Sequence, residues 1–144
     1  MPKLVLKDCV IEVNDVDLSA RASRVTITSS KALVDSTSFG ARYRQSEVGL
    51  GDGNIAITFQ QDYDAASVDA TLWPIHEADD HCRVRVKPTS AATGETNPAY
   101  YMDDAVLPDY TPLNGSVGDL STVDVTFQNA GQRGITREIV DPTP

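Results

Sequence analysis

Between Asn54 and Trp73 the spacing of apolar positions changes from two to four, the clearest change of period along the chain. Ile55, Ile57 and Phe59 alternate with Asn54, Ala56, Thr58 and Gln60, as in a strand with one apolar and one polar face. Val68 and Leu72 then share one face of a helix expected over about residues 65–75, with Asp64 or Ser67 placed to accept from its first free amides. Trp73 is expected beside that packing. Pro74 should end or kink the helix, because proline has no amide proton and crowds the preceding turn.

The remaining strands are read in the same way. Leu4, Leu6 and Val10 to Val13 mark a first strand region, and Asn14-Asp15 supplies turn chemistry before Val16 and Leu18. Val25 and Ile27 point one way while Arg24, Thr26 and Thr28 point the other. Residues 31–53 show no sustained period, and so long a stretch inside a compact domain implies a functional loop or a disordered segment. Cys82, Val84 and Val86 alternate with Arg83, Arg85 and Lys87, whose basic side is expected to face outward. A strand from Ala99 to Leu107 loses its alternation at Asp103-Asp104, where a bulge fits. After a turn region from Pro108 to Gly118, Val123, Val125 and Phe127 alternate with Thr122, Asp124, Thr126 and Gln128. A last short strand is expected near Ile135. The pattern predicts a mainly β fold, a two-sheet antiparallel sandwich or barrel with one flanking helix and a long inter-strand loop. It is read as a single domain over 1–140, with a loose tail at 141–144.

Charge narrows the choice of partner. Twelve Lys and Arg against 21 Asp and Glu give a net charge of -9, which opposes tight binding to a phosphate backbone. From Gln45 to His81 there is no Lys or Arg against eight acidic residues, and from Pro88 to Gln132 none against six. Cys9 and Cys82 are too few for a disulfide framework, so buried free thiols are the default. The start of the sequence lacks the apolar run of a signal peptide and no stretch reaches membrane-spanning length. Synthesis in a cytosol and no membrane partner are expected.

Catalytic and cofactor chemistry finds little support. His76, His81 and Cys82 match no strong zinc spacing and lack an evident fourth ligand. Gly49, Gly51 and Gly53 precede a strand, so no helix N-terminus completes a phosphate cradle. The pairs Asp79-Asp80 and Asp103-Asp104 lack the ladder of oxygen ligands of a calcium loop and read as solvated faces. There is no G-x-S-x-G elbow, and neither histidine has an obvious nucleophile partner. No cofactor, no metal and no enzymatic activity are expected.

Several runs in order, L-V-L-K-D-C-V-I-E-V-N-D-V-D-L-S, F-G-A-R-Y-R, S-V-D-A-T-L-W-P, T-N-P-A-Y and G-S-V-G-D-L-S-T-V-D-V-T-F-Q-N-A-G, span nearly the whole chain. Together they resemble the major tail tube proteins of long, non-contractile-tailed bacteriophages. The resemblance implies a two-sheet β fold with one helix, assembled as hexameric rings that stack into a hollow tube conducting genomic DNA. It also implies a virion-tail location after synthesis in the host cytoplasm, with a tape measure protein and tail terminator or baseplate proteins as partners. The family's long loop contacts neighbouring subunits and rings.

Two groups of residues are then expected to carry the function. The polar sides of the later strands, Asn54, Thr58, Gln60, Asp103, Thr122, Asp124, Thr126 and Gln128, offer a channel lining without cations, over which a duplex slides without sticking. The plainer reading of that acidity is solubility. In the loop, Phe39, Gly40, Arg42, Tyr43, Arg44, Glu47 and Val48 combine apolar anchors with charge in a segment lacking its own core, which suits contact with a neighbouring subunit. Folding back on its own domain is the alternative for that loop. For the whole chain, the competing reading is a carbohydrate-binding or adhesin β-sandwich on a virion. One tryptophan, set beside the helix, weighs against it.

Overall fold

The computed structural model describes residues 5–139. In chain order the strands are β1 (Val10–Val13), β2 (Val16–Asp17), β3 (Ala22–Asp35), β4 (Ser46–Gln60), β5 (Cys82–Lys87), β6 (Ala99–Val106), β7 (Thr122–Asn129) and β8 (Ile135–Glu138). The helix α1 (Val68–Glu77) lies between β4 and β5. Asn14 and Asp15, both at positive φ (50° and 65°), close the two-residue turn between β1 and β2, where Val13 pairs with Val16. Leu6 lies outside any strand, and Leu4 and the 141–144 tail lie outside the described residues.

Among the described residues all pairings are antiparallel and form one eight-stranded sheet, in the order β2-β1-β5-β6-β7-β4-β3 with β8 on β6, where two sheets were expected. The middle of that path explains the difference. Along one edge β6 pairs β5; along the other, Ala99 to Met102 pair β8, and only Ala105 and Val106 pair β7. At Asp103-Asp104 three steps of β6 match two of β5, so the expected bulge is there. A bulge bends the strand and increases its twist. The hydrogen-bonded sheet can therefore continue through β6 while its two halves contribute to one core: Ile11, Val13, Val84 and Val86 from one, Ile55, Ile57, Phe59, Val123, Val125 and Phe127 from the other. Burying an aliphatic or Phe side chain of this kind stabilises a fold by about 1.5–3 kcal/mol. Gly53 permits a further close approach, since a Cβ there would stand 3.0 Å from Ile135 Cγ1 on β8.

The helix differs from expectation at its C-terminal half. It continues through Pro74 to Glu77, and the Ala78 amide donates to the Pro74 carbonyl at 3.1 Å. Pro74 deprives only the carbonyl four residues back, that of the exposed Ala70, of its donor, and solvent can satisfy it there. Val68 and Leu72 are fully buried as expected, and Ile75 takes the third core place. Trp73 does not: it is 42% exposed and lies against the rings of His76 and Tyr110, at 6.0 and 6.3 Å between centroids. Ser67 is the N-cap residue, but its hydroxyl donates to Asp62 Oδ2 at 2.8 Å instead of capping. The basic side of β5 is also less exposed than expected. Lys87 is buried and Arg85 reaches Glu12 at 3.5 Å.

Candidate assembly surfaces

The stretch 31–53, expected as a loop, is mostly strand. β3 and β4 continue as a two-stranded arm in which Leu33 pairs with Val48, Val34 with Glu47 and Asp35 with Ser46. A register shift between Lys31 and Leu33 separates the arm from the body of the sheet. Only residues 36–45 form the tip. Its neck is closed by the Ser36 amide donating to the Gln45 carbonyl at 2.9 Å and the Gln45 amide donating to Thr37 Oγ1 at 2.7 Å. Thr37, through its hydroxyl and then its amide, also holds the Asp35 carboxyl below its usual pKa range.

Beyond the neck the Ala41 amide donates to the Ser38 carbonyl at 3.3 Å, and Gly40 has φ +86°. These are features of a type II turn with Gly40 at its third position, where a side chain would be strained, and Phe39 at its second. Phe39 is fully exposed, and Leu33, Val34, Tyr43, Val48 and Leu50 on the same arm are exposed as well. Among the described residues no carboxylate pairs with Arg42 or Arg44. The arm thus holds six large apolar side chains without cover from its own chain.

The second surface is a set of cross-strand rows. Thr28, Asn54 and Gln128 stand side by side on β3, β4 and β7; so do Thr26, Ala56 and Thr126, then Arg24, Thr58 and Asp124, and finally Gln60 with Thr122. Ile55, Ile57, Phe59, Val123, Val125 and Phe127 point the other way, into the core. The polar side therefore faces out of the molecule. Thr58 donates to Asp124 Oδ1 at 2.6 Å, tying β4 to β7 on that side. The alternation of Arg24, Thr26 and Thr28 was visible in the sequence, but their place beside Asn54 to Thr58 was not, since it depends on pairing across the hairpin. Arg24 is the one cation in these rows.

Asp103 is not among them. It lies 3.7 Å from Arg83 and 3.5 Å from Arg133, beside the bulge, and is paired away from the β4–β7 rows. His81 pairs with Asp104, His76 Nδ1 lies 3.2 Å from the Leu107 carbonyl, and Cys82 is in the core. These three candidate metal ligands thus diverge. Burial, with Asp104 nearby, pushes the Cys82 thiol up to about 11, away from reactive thiolate character.

A third group went unnoticed in the sequence. The segment 107–121 between β6 and β7 is anchored by Tyr110, whose hydroxyl donates to Asp69 Oδ1 at 2.9 Å and accepts from Gln61 Nε2 at 3.1 Å. Burial is the main cause that pushes the Tyr110 phenol up to about 12. Tyr63 donates to the Pro112 carbonyl at 2.5 Å. Outside these anchors Leu113, Val117, Leu120 and Tyr63 are exposed. Their spacing has no regular period, but Ser121 Oγ donates to the Asn114 carbonyl at 2.8 Å, which brings the Leu113 and Leu120 parts of the segment together.

No family profile and no curated protein sequence matches the chain. By shape it is similar to a chain of the virion of a native gene transfer agent particle, with TM-score 0.69 and 15% identity over 90% of this chain and 95% of that one. It is similar also to a chain of the tail of an empty gene transfer agent particle refined with C6 symmetry, with TM-score 0.63 and 13% identity over 84% and 83%. A third is a chain of the sheath-tube complex of an extracellular contractile injection system, with TM-score 0.64 and 10% identity over 96% and 93%. The chain shares its fold with components of a gene transfer agent virion and tail and of the sheath-tube complex of a contractile injection system.

Proposed function

We propose that this protein is a structural, non-enzymatic subunit of a phage-type tail tube. Copies associate into rings of six, the rings stack, and the polar rows of β3, β4 and β7 line the bore through which duplex DNA passes without specific binding. The observation that carries this reading is the arm: a paired hairpin that keeps six large apolar side chains uncovered, on a fold shared with tail and tube components. A solitary molecule gains nothing from holding them in water. Copies that bury them against one another remove that apolar surface from solvent.

The bore follows from the same geometry. Its rows offer Thr, Asn, Gln and Asp, with Arg24 at one edge next to Thr58. Phosphate affinity arises mainly from counterions released at Lys and Arg, so such a lining holds DNA weakly. Placement in a non-contractile tail, with a tape measure protein inside the tube and terminator and baseplate proteins at its ends, rests on the sequence resemblance. Negative-stain microscopy of purified protein tests the reading. Rings or tubes are expected from the wild type, and folded, unassembled protein from Arg42→Glu/Arg44→Glu. A wild type that stays monomeric at every concentration would overturn it, and full-length tubes from the double variant would remove Arg42 and Arg44 from the contact between subunits.

A further inference from the structure

β4 carries unsheltered apolar surface at both of its ends. Ser46, at one end, belongs to the arm; Gln60, at the other, pairs with Thr122, and the Gln61 amide donates to the Ser121 carbonyl at 3.0 Å. This places the 107–121 segment, with exposed Leu113, Val117 and Leu120, at the end of the strand away from the tip. The fourteen steps from Ser46 to Gln60 correspond to about 45 Å of strand at roughly 3.3 Å per residue. The two ends also differ in charge. The tip, 36–45, carries Arg42 and Arg44 and no acid, whereas the far end carries exposed Asp64, Asp109 and Asp119. Asp62, in the same turn, is neutralised by Arg21 at 2.7 Å.

We infer that the 107–121 segment, with the turn at 61–64, is the platform that receives the arm tip of a second copy of this chain. The proposal rests on the tube reading and adds to it the identity of the receiving surface. Phe39 and Tyr43 would meet Leu113, Val117 and Leu120, while Arg42 and Arg44 would meet Asp109 and Asp119. Unlike surfaces at opposite ends of one subunit make a heterologous contact, which closes into a ring where its rotation closes and propagates as an open series where it does not. The platform is held in shape before contact by the Tyr110, Tyr63 and Gln61 hydrogen bonds, so little ordering remains to be done on docking.

The test uses two charge-reversed proteins, Arg42→Glu/Arg44→Glu and Asp109→Lys/Asp119→Lys, with assembly followed by sedimentation and negative-stain microscopy. Each alone is expected to lose tubes, because its arm and platform carry the same sign. An equimolar mixture is expected to regain them: glutamate tips fit lysine platforms and arginine tips fit aspartate platforms, in alternation. Recovery on mixing also shows that both proteins are folded. Tubes of wild-type length from the platform variant alone, or failure of the mixture to assemble, would overturn the inference. If the arm variant alone loses tubes while the platform variant keeps them, the tube reading survives and only the receiving surface is wrong.

Discussion

Truncating Phe39 to alanine separates an arm that packs on a neighbour from one that serves its own domain. Phe39 is fully exposed at the second position of the tip turn, so in the monomer the substitution removes almost no buried surface. Its effect on unfolding should stay within about 0.5 kcal/mol, the range for surface positions without special geometry. Phe127, fully buried on β7, the strand between β4 and β6, gives the opposite reference, and its truncation should cost about 3–5 kcal/mol. Assembly reverses the ranking. A Phe side chain carried from water into an apolar contact contributes about 1.5–3 kcal/mol. At 1.4 kcal/mol per factor of ten, loss of that contact should raise the critical concentration for assembly roughly ten- to a hundredfold. Urea unfolding of dilute monomer and sedimentation across a concentration series measure the two quantities. The reasoning is refuted if Phe39→Ala lowers the monomer's unfolding free energy by as much as a core truncation does, or if its critical concentration equals that of the wild type.

Two further outcomes are expected. Tyr110→Phe removes the hydroxyl shared by Asp69 and Gln61 and should cost the monomer about 1 kcal/mol in urea unfolding. Because burial pushes the folded phenol up to about 12 against an ordinary 10.0, the contribution of Tyr110 is intact below pH 10 and declines as pH rises from there toward 12; in a pH series of unfolding midpoints the lead of the wild type over Tyr110→Phe should be constant below pH 10 and shrink above it. Asp124→Lys/Thr126→Lys replaces exposed polar groups of the bore rows by cations, so its assembled tubes should retain duplex DNA at about 50 mM salt and release it by about 200 mM, whereas wild-type tubes retain none at either. Equal retention by the two in a co-sedimentation assay would remove the rows from the bore.

The sequence by itself determined the elements whose two faces meet different surroundings. The alternation of Ile55, Ile57 and Phe59, and of Val123, Val125 and Phe127, is local information, because a half-buried strand must place every second side chain in the core. The Asn14-Asp15 turn and the Asp103-Asp104 bulge were legible for the same reason: each is a short-range departure that its own residues announce. Tertiary structure decided the rest. With water on both faces, the arm has no apolar period, so its pairing from Leu33–Val48 to Asp35–Ser46 left no trace in the pattern. Which strands share a face depends on partners far apart in sequence, and this is how Arg24 came to stand beside Thr58 while Asp103 was drawn to Arg83 and Arg133. Trp73 was kept from the core because α1 stays helical through Pro74, which puts Ile75, seven residues after Val68, on the buried face and Trp73 off it. The platform at 107–121 became visible only when Tyr110 and Ser121 were seen to fix that segment at the end of β4, since scattered apolar residues form a surface only once the chain brings them together.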